Sequence, residues 1–387
     1  MSVWSTLVGQ QRVVDTLAAA VREQRISHAW LFTGPPGSGR SNAAMAFAAA
    51  IHCPRGGCGQ CHACDTSLAG SHADVTVVRT QKLSLQVEEI RDLVKRAALA
   101  PVGGGRQVMI VEDAARLTER AANALLKAIE EPSARTVWLL CAPTEEDVLP
   151  TIRSRTRLVT LTTPTAAAVA DFLARDPEID REMAAHAARA SQGHIGRAKA
   201  LAKQEAVRNR RREVVSLPAK MERLVDALNA AQNLVESTKE EAEEITAVLD
   251  AREKTDLDAA HGLVVRGRRS STYNRDLSEM EKNQRTRAKR RVLDVVDHSL
   301  MDLVSFYRDV VALSMGAPGD LVNEEQRGEI ESVTRRIGAE GSLRCIEAVF
   351  TAREQMLEFN VPPLLALESL MTVLQLPPRA GLGGARA

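Results

Sequence analysis

Gly34-Pro35-Pro36-Gly37-Ser38-Gly39-Arg40-Ser41 follows the apolar run His28-Ala-Trp-Leu-Phe-Thr33 and leads into the alanine-rich stretch from Ser41 to Ile51. Strand, glycine loop and helix in that order are what a phosphate-binding P-loop requires. The loop's N–H groups and the helix N-terminus together surround an anion. The pattern G-x-x-x-x-G-K-[ST] is met at every position but one: Arg40 stands where the lysine belongs. An ammonium is a compact point charge, whereas a guanidinium is wide, planar and rigid, so the exchange is not conservative. Gly34, Gly37, Gly39, Arg40 and Ser41 are therefore candidate nucleotide-binding residues of a degenerate site. The loop keeps its architecture and loses its main cation.

At 387 residues the chain has room for two or three domains. Aromatic residues make up only 3%, so the cores must rest on Ala, Val, Leu and Ile, a composition that favours helices. A net charge of +1 excludes a globally basic nucleic-acid binder and leaves only local patches. No run approaches the roughly 20 apolar residues of a membrane span, and no charged-then-apolar leader opens the chain. The expectation is a soluble, intracellular protein with no membrane partner.

Four of the six cysteines fall within Cys53-Pro-Arg-Gly-Gly-Cys58-Gly-Gln-Cys61-His-Ala-Cys64. Two C-x₂-C gaps in a reducing compartment suit a closed tetrahedral Cys₄ site, so Cys53, Cys58, Cys61 and Cys64 are expected to hold a structural Zn²⁺. Four unrelated buried thiols, or His52 or His62 replacing one ligand, are the alternatives.

Further strands are expected at Val75–Val78, Gln107–Val111, Thr136–Cys141 and Leu158–Leu161, with helices between them; the first helix runs from Val8 to about Arg25. That alternation predicts a mostly parallel sheet covered on both faces. The strand at 107–111 ends in Glu112-Asp113, where a Walker B site places its metal ligand and its water-orienting carboxylate. Here the usual Asp-Glu order is reversed, and solvated acids at a strand end are the plainer reading. Thr118 is a fitting N-cap for the helix that Pro132 stops.

His28-Ala-x-Leu-Phe-x-Gly34, the Cys₄ insert, Ala122-Asn-Ala-Leu-Leu-Lys-x-Ile-Glu-Glu-Pro132 and Ile152-Arg-Ser-Arg155 together resemble bacterial clamp-loader subunits of the AAA+ class, over about residues 1 to 205. The resemblance implies an α/β P-loop AAA+ domain with a zinc insert (1–163, zinc module 53–64), a small helical lid (164–206) and an all-α collar (207–387). It implies work in a five-subunit ring with gamma/tau and delta subunits, a sliding clamp and, through the complex, primer-template DNA, in the cytoplasmic replisome. Arg155 is implied to reach a neighbouring subunit's ATP site in trans, and Arg197, in Gly193-His-Ile-Gly-Arg197, to face nucleotide, though a plain surface role fits Arg197 equally well. Without the resemblance, Arg153, Arg155 and Arg157 are a solvated basic stretch.

The departures at Arg40, Glu112-Asp113 and Cys141-Ala-Pro143 point within that family to a subunit that does not hydrolyse ATP, with ATP or ADP held statically at most. Thr156 replaces the thiol of the family's Ser-Arg-Cys and leaves the arginine. The alternative is an ATP-hydrolysing gamma/tau-type motor that tolerates Arg40. A zinc-dependent DNA-binding protein is more distant, since only Arg55 lies close to the cysteines as a basic contact.

Beyond 207 the chain reads as helical. Residues 236–258 carry nine acids against three bases, and residues 266–291 ten bases against three acids. Two helices paired by charge and a solvated, flexible excursion fit equally well. Direct DNA binding by the basic arm is weakened by its lack of interleaved aromatics. A stripe of Val292, Val296, Leu300, Leu303, Tyr307 and Val311 must pack on something. The tail from Pro377 is expected to be disordered.

Overall fold

The computed structural model describes residues 2–79, 84–261 and 271–375. Two compact units divide between Lys203 and Gln204. The first contains α1 (Gln11–Arg22), β1 (Ala29–Thr33), α2 (Arg40–His52), α3 (His62–Leu68), β2 (Val75–Val78), α4 (Val87–Ala97), β3 (Gln107–Val111), α5 (Glu119–Glu130), β4 (Thr136–Ala142), α6 (Pro150–Arg153) and β5 (Arg157–Thr160). Three further helices, α7 (Ala166–Leu173), α8 (Arg181–Ala190) and α9 (Ile195–Lys203), complete it. The first helix is shorter than its apolar pattern suggests, because Gln24 takes a positive φ of 54° just beyond it and turns the chain.

All five strands are parallel, in the order β2-β3-β4-β1-β5. Every residue of β1, β3 and β4 is buried, as near-continuous apolar runs should be in a sheet covered on both sides. Alternation divides them between two cores. Trp30, Phe32, Val108, Ile110, Val137 and Leu139 face α1 and α2. Leu31, Met109, Val111, Trp138 and Leu140 face α4 and α5. In α2 every residue from Ala43 to Ala50 is buried. A helix enclosed all round needs small residues to lie close to the sheet, which explains the alanines. Parallel strands carry every carboxyl end to one edge of the sheet. The segments after β1, β3 and β4, distant in sequence, are thereby collected there.

Side-chain caps start the helices where the sequence places them: Thr118 accepts from the Ala121 N–H at 3.3 Å, Thr165 from Ala168 at 3.2 Å and Asp180 from Met183 at 2.7 Å.

The second unit, among the described residues, is helical: α10 (Glu205–Lys220), α11 (Leu224–His261), α12 (Ser271–Ser314), α13 (Arg327–Leu357) and α14 (Pro363–Gln375). The acidic and basic blocks lie on α11 and α12, which pair. Arg287, only 11% exposed, donates to Glu253 at 2.6 and 2.7 Å and also to Asp250, while the Tyr273 hydroxyl donates to Asp258 at 2.6 Å. Of the two readings of these blocks, charge-paired helices describe the structure. The expected connecting loop at 267–271, save Ser271, and the tail from Pro377 lie outside the described residues. On α12 the stripe is buried through Val296, Leu300, Leu303, Phe306, Tyr307 and Val310. Val311 is only half-buried, because a 3.6-residue repeat brings Val310 rather than Val311 onto the inner face.

One buried polar cluster ties this unit together. Arg211 of α10 donates to Asp302 of α12 at 3.0 Å and to the Asn323 side chain at 2.5 Å, and Asp309 accepts the backbone N–H groups of Val322 and Asn323. The Arg211 and Asp302 side chains are 5% and 3% exposed, so each charge depends on the other. Removing one partner strands the second in low dielectric. Asp302→Ala is expected to destabilise the second unit by about 3–5 kcal/mol in urea unfolding; a loss under about 1 kcal/mol would contradict this role.

Candidate functional site

The loop Gly34–Gly39 leaves the carboxyl end of β1 and passes directly into α2, whose first residue is Arg40. The Gly34 N–H donates to Pro143 O at 2.9 Å and the Ser38 N–H to Pro35 O at 3.1 Å. The Arg40 guanidinium turns back and donates from Nη1 to the carbonyl of Gly34, the loop's own first residue. Burial holds its pKa below the ordinary arginine value, with Cys141, Asp113 and Asp147 pulling the other way.

A second side chain reaches the loop from the helical segment α7–α9. Gly37 has φ +80°, and a Cβ there would lie 2.4 Å from Cγ of His194 and 2.7 Å from its Cα. His194 therefore lies flat against the loop, its pKa lowered by burial and then by the charges of Arg197 and Arg40. Its Nδ1 accepts the Arg197 N–H at 3.1 Å, which places Arg197 beside it at the start of α9. Gly39, with φ +94°, and Ser41 complete the loop and the first turn of α2.

The acids after β3 part company. Glu112, with a side chain 15% exposed, pairs with Arg79 beyond the end of β2 at 2.9 Å. Asp113 precedes a short 3₁₀ turn, Ala114–Arg116, and contributes to the field at Arg40. Cys141, fully buried at the end of β4, has its thiol pushed up, chiefly by burial and then by Glu112. A neutral thiol thus stands where a polar sensor would be expected. The site collects Arg40, Asp113 and Cys141 at one edge of the sheet, while Glu112 is turned to an arginine.

The four cysteines form a knuckle between α2 and α3. Their sulfurs all lie within 4.8 Å of one another, and Cys53 and Cys61 are 3.7 Å apart. Thiolates bonded at about 2.3 Å to a tetrahedral cation stand roughly 3.8 Å from each other, so the spacing fits a metal ion. Backbone N–H groups of Arg55 and Cys58 point at the Cys53 sulfur at 3.4 and 3.3 Å, and that of Gly59 at Cys64 at 3.4 Å. Burial raises the Cys53 thiol, but donors from Cys58, Gly57 and Arg55 outweigh it and bring the pKa to about 6. The knuckle is held to the body at Gly57, whose φ is +106°. A Cβ there would meet Val3 at 2.7 Å.

Arg155 follows α6 and is half-exposed. Its Nη2 pairs with Glu130 of α5 at 2.9 Å, and Nη1 donates to Thr151 O at 2.9 Å and to Ser154 Oγ at 3.1 Å. These contacts hold the guanidinium against its own turn, on the outside of the module.

A parallel P-loop module with a helical cap against its loop is the class of protein this geometry defines. Residues 9–165 match the family model described as DNA polymerase III, delta subunit. The DNA polymerase III subunit delta' of Pseudomonas aeruginosa is 40% identical over 155 residues, 38% of this chain and 47% of that protein. The subunit gamma/tau of Mycobacterium tuberculosis H37Rv is 37% identical over 158 residues, 40% of this chain and 27% of that protein. A gamma subunit-related protein of Thermotoga maritima, known as a crystal structure, aligns with 94% of this chain and 99% of its own, at 16% identity and a TM-score of 0.42. Over residues 9–165, about two fifths of its length, the chain is thus similar to delta-, delta'- and gamma/tau-type subunits of DNA polymerase III. The sequence matches span about half or less of those two relatives' length.

His194 is the residue the sequence did not single out. Its signal was present in Gly193-His-Ile-Gly196, but only the fold brings that motif onto Gly37. Gly37→Ala must displace His194 and adopt a positive φ besides, and is expected to cost about 1–3 kcal/mol in thermal or urea unfolding. Wild-type stability in that variant would show that the cap does not rest on the loop.

Proposed function

We propose that this chain is the delta-prime-type subunit of a DNA polymerase III clamp loader. It would be a non-hydrolysing AAA+ member that organises the ring and donates Arg155 to a neighbour. The observation that carries the reading is the loop's self-contact, Arg40 on the Gly34 carbonyl with His194 against Gly37. Phosphoryl transfer needs a cation at the β/γ-phosphates and a carboxylate to position water. Here the cation turns back onto the loop's own carbonyl, and Glu112 onto Arg79. ATP or ADP would have to displace both the guanidinium and the imidazole. Static binding would therefore be weak, and turnover negligible.

Under this reading residues 1–163 are the AAA+ body, 164–206 its lid and 207–387 the collar, and the partners are gamma/tau, delta, the sliding clamp and primer-template DNA. The setting is the cytoplasmic replisome; no helix among the described residues is long and apolar enough to cross a membrane. Arg155 is suited to act in trans because it is reachable. Its pair with Glu130, with side chains 41% and 39% exposed, is an exposed ion pair of about 0–1 kcal/mol, cheap to exchange for a neighbour's phosphate. The alternative, an ATP-hydrolysing gamma/tau-type subunit, is favoured by the 37% identity to that relative and opposed by the loop.

Steady-state ATPase assays separate the two. The chain alone should show background hydrolysis, and Arg40→Lys alone should not restore it, since Cys141 and Asp113 remain. Turnover near 1 s⁻¹ by the isolated chain would refute the reading.

The cysteine knuckle is proposed to hold Zn²⁺ through Cys53, Cys58, Cys61 and Cys64. With four thiolates the ion has no open position, so its part is structural. About one zinc per chain should co-purify, and replacing any one cysteine by serine should lower the melting temperature and release the metal. Substoichiometric zinc in protein purified without chelator would count against it.

A further inference from the structure

At the amino-terminal edge of the sheet, opposite the P-loop, lies a cavity of about 960 Å³. Four arginines from four separate segments line it: Arg22 at the end of α1, Arg55 in the cysteine knuckle, Arg106 just before β3 and Arg135 just before β4. Among the described residues no aspartate or glutamate lines it, and none of the four arginines has a salt-bridge partner. Arg55 Nη2 approaches the Cys58 sulfur at 3.2 Å, an anionic partner once the knuckle holds its metal, and Arg135 Nη1 donates to Gly104 O at 3.2 Å; each contact uses one donor and leaves most of the fork unused. His52 also lines the cavity, and its Nε2 is buried without a hydrogen-bond partner. The nearest buried carboxylate, Asp74, is engaged by the N–H groups of Val102 and Gly103 at 2.7 and 3.0 Å.

We propose that this cavity is a second binding site, for the phosphate groups of a polyanion, distinct from the P-loop. Arginines around one cavity that has no carboxylate among its described lining residues form a positive patch that attracts an anion. Arginine's planar fork matches phosphate oxygens in pairs. The net charge of the whole chain is only +1, so the clustering is a local property of this place. Sequence placed only Arg55 near the cysteines; the parallel sheet brings in Arg106 and Arg135 by setting the starts of β3 and β4 side by side. The knuckle acquires a purpose in this arrangement, since the two sulfur contacts of Arg55 fix one wall of the cavity. A free polyphosphate and the backbone of a single strand present the same chemistry.

The test uses the full chain with two probes, a fluorescently labelled single-stranded oligothymidylate followed by anisotropy, and inorganic tripolyphosphate followed by calorimetry. The variant is Arg106→Gln combined with Arg135→Gln, which touches neither the knuckle's sulfurs nor the P-loop; unchanged metal content and melting temperature confirm its fold. Wild type should bind at least one probe saturably at low salt, and the double variant should bind about fivefold or more weakly, with a shallower dependence on salt. Tighter oligonucleotide binding assigns the site to a strand, and tighter tripolyphosphate binding to a free polyphosphate. Should the double variant unfold, the exposed Arg22→Gln serves, with a loss of about threefold or more expected. Absence of saturable binding by both probes, or variants bound within those limits of wild type, would overturn the proposal.

Discussion

A hydrogen bond from the Arg40 guanidinium to the Gly34 carbonyl turns the cation of this P-loop back onto the loop itself. A P-loop works because its backbone donors and its cation converge on an anion that is not part of the chain. Here one donor of the cation is turned back to the loop, and the imidazole of His194 lies where Gly37 leaves no room for even a methyl group. The rest of the edge agrees with that closure: Glu112 is paired, Cys141 is a buried neutral thiol, and Pro143 accepts the Gly34 N–H. Each of these contacts departs from what phosphoryl transfer needs, which supports the proposed non-hydrolysing reading. Arg155, half-exposed on the outer surface, is the residue that this reading assigns to a neighbour.

The parallel sheet divides the first unit's chemistry between two ends. At the carboxyl edge lie the loop, the acids after β3 and the thiol of β4. At the amino edge lie the cysteine knuckle and the arginine-lined cavity. The ends are separated by a fully buried apolar layer, so a change at one has no direct polar route to the other. The second unit is held by different means, a long apolar seam on α12 and the buried Arg211–Asp302 pair.

Much of this was legible in the residues. Strand, glycine loop and helix are local patterns, and β1, α2 and β3 lie within a residue or two of their expected limits. The Cys₄ spacing was legible for the same reason, because all four sulfurs sit within twelve residues. What was not legible depended on distance along the chain. His194 is more than 150 residues from Gly37, and no local rule relates a cap helix to a loop in another layer. Arg22, Arg55, Arg106 and Arg135 are unremarkable surface residues one at a time; only strand order makes them a group. The charged arms were ambiguous because composition sets a helix's charge but not its partner, and Arg287 between Asp250 and Glu253 is what resolves it.

On the proposed reading this chain contributes to hydrolysis only by lending a guanidinium. The most direct measurement is ATPase activity of a loader assembled with gamma/tau and delta subunits, comparing wild type with Arg155→Ala at equal incorporation. A guanidinium supplied in trans stabilises developing phosphate charge only where it reaches, an effect of roughly 10³–10⁵ in rate at one site. A partial fall in total ATPase and in clamp loading is expected, confined to the site facing this subunit, with the variant chain as stable as wild type. Wild-type hydrolysis and loading by the Arg155→Ala complex would contradict it.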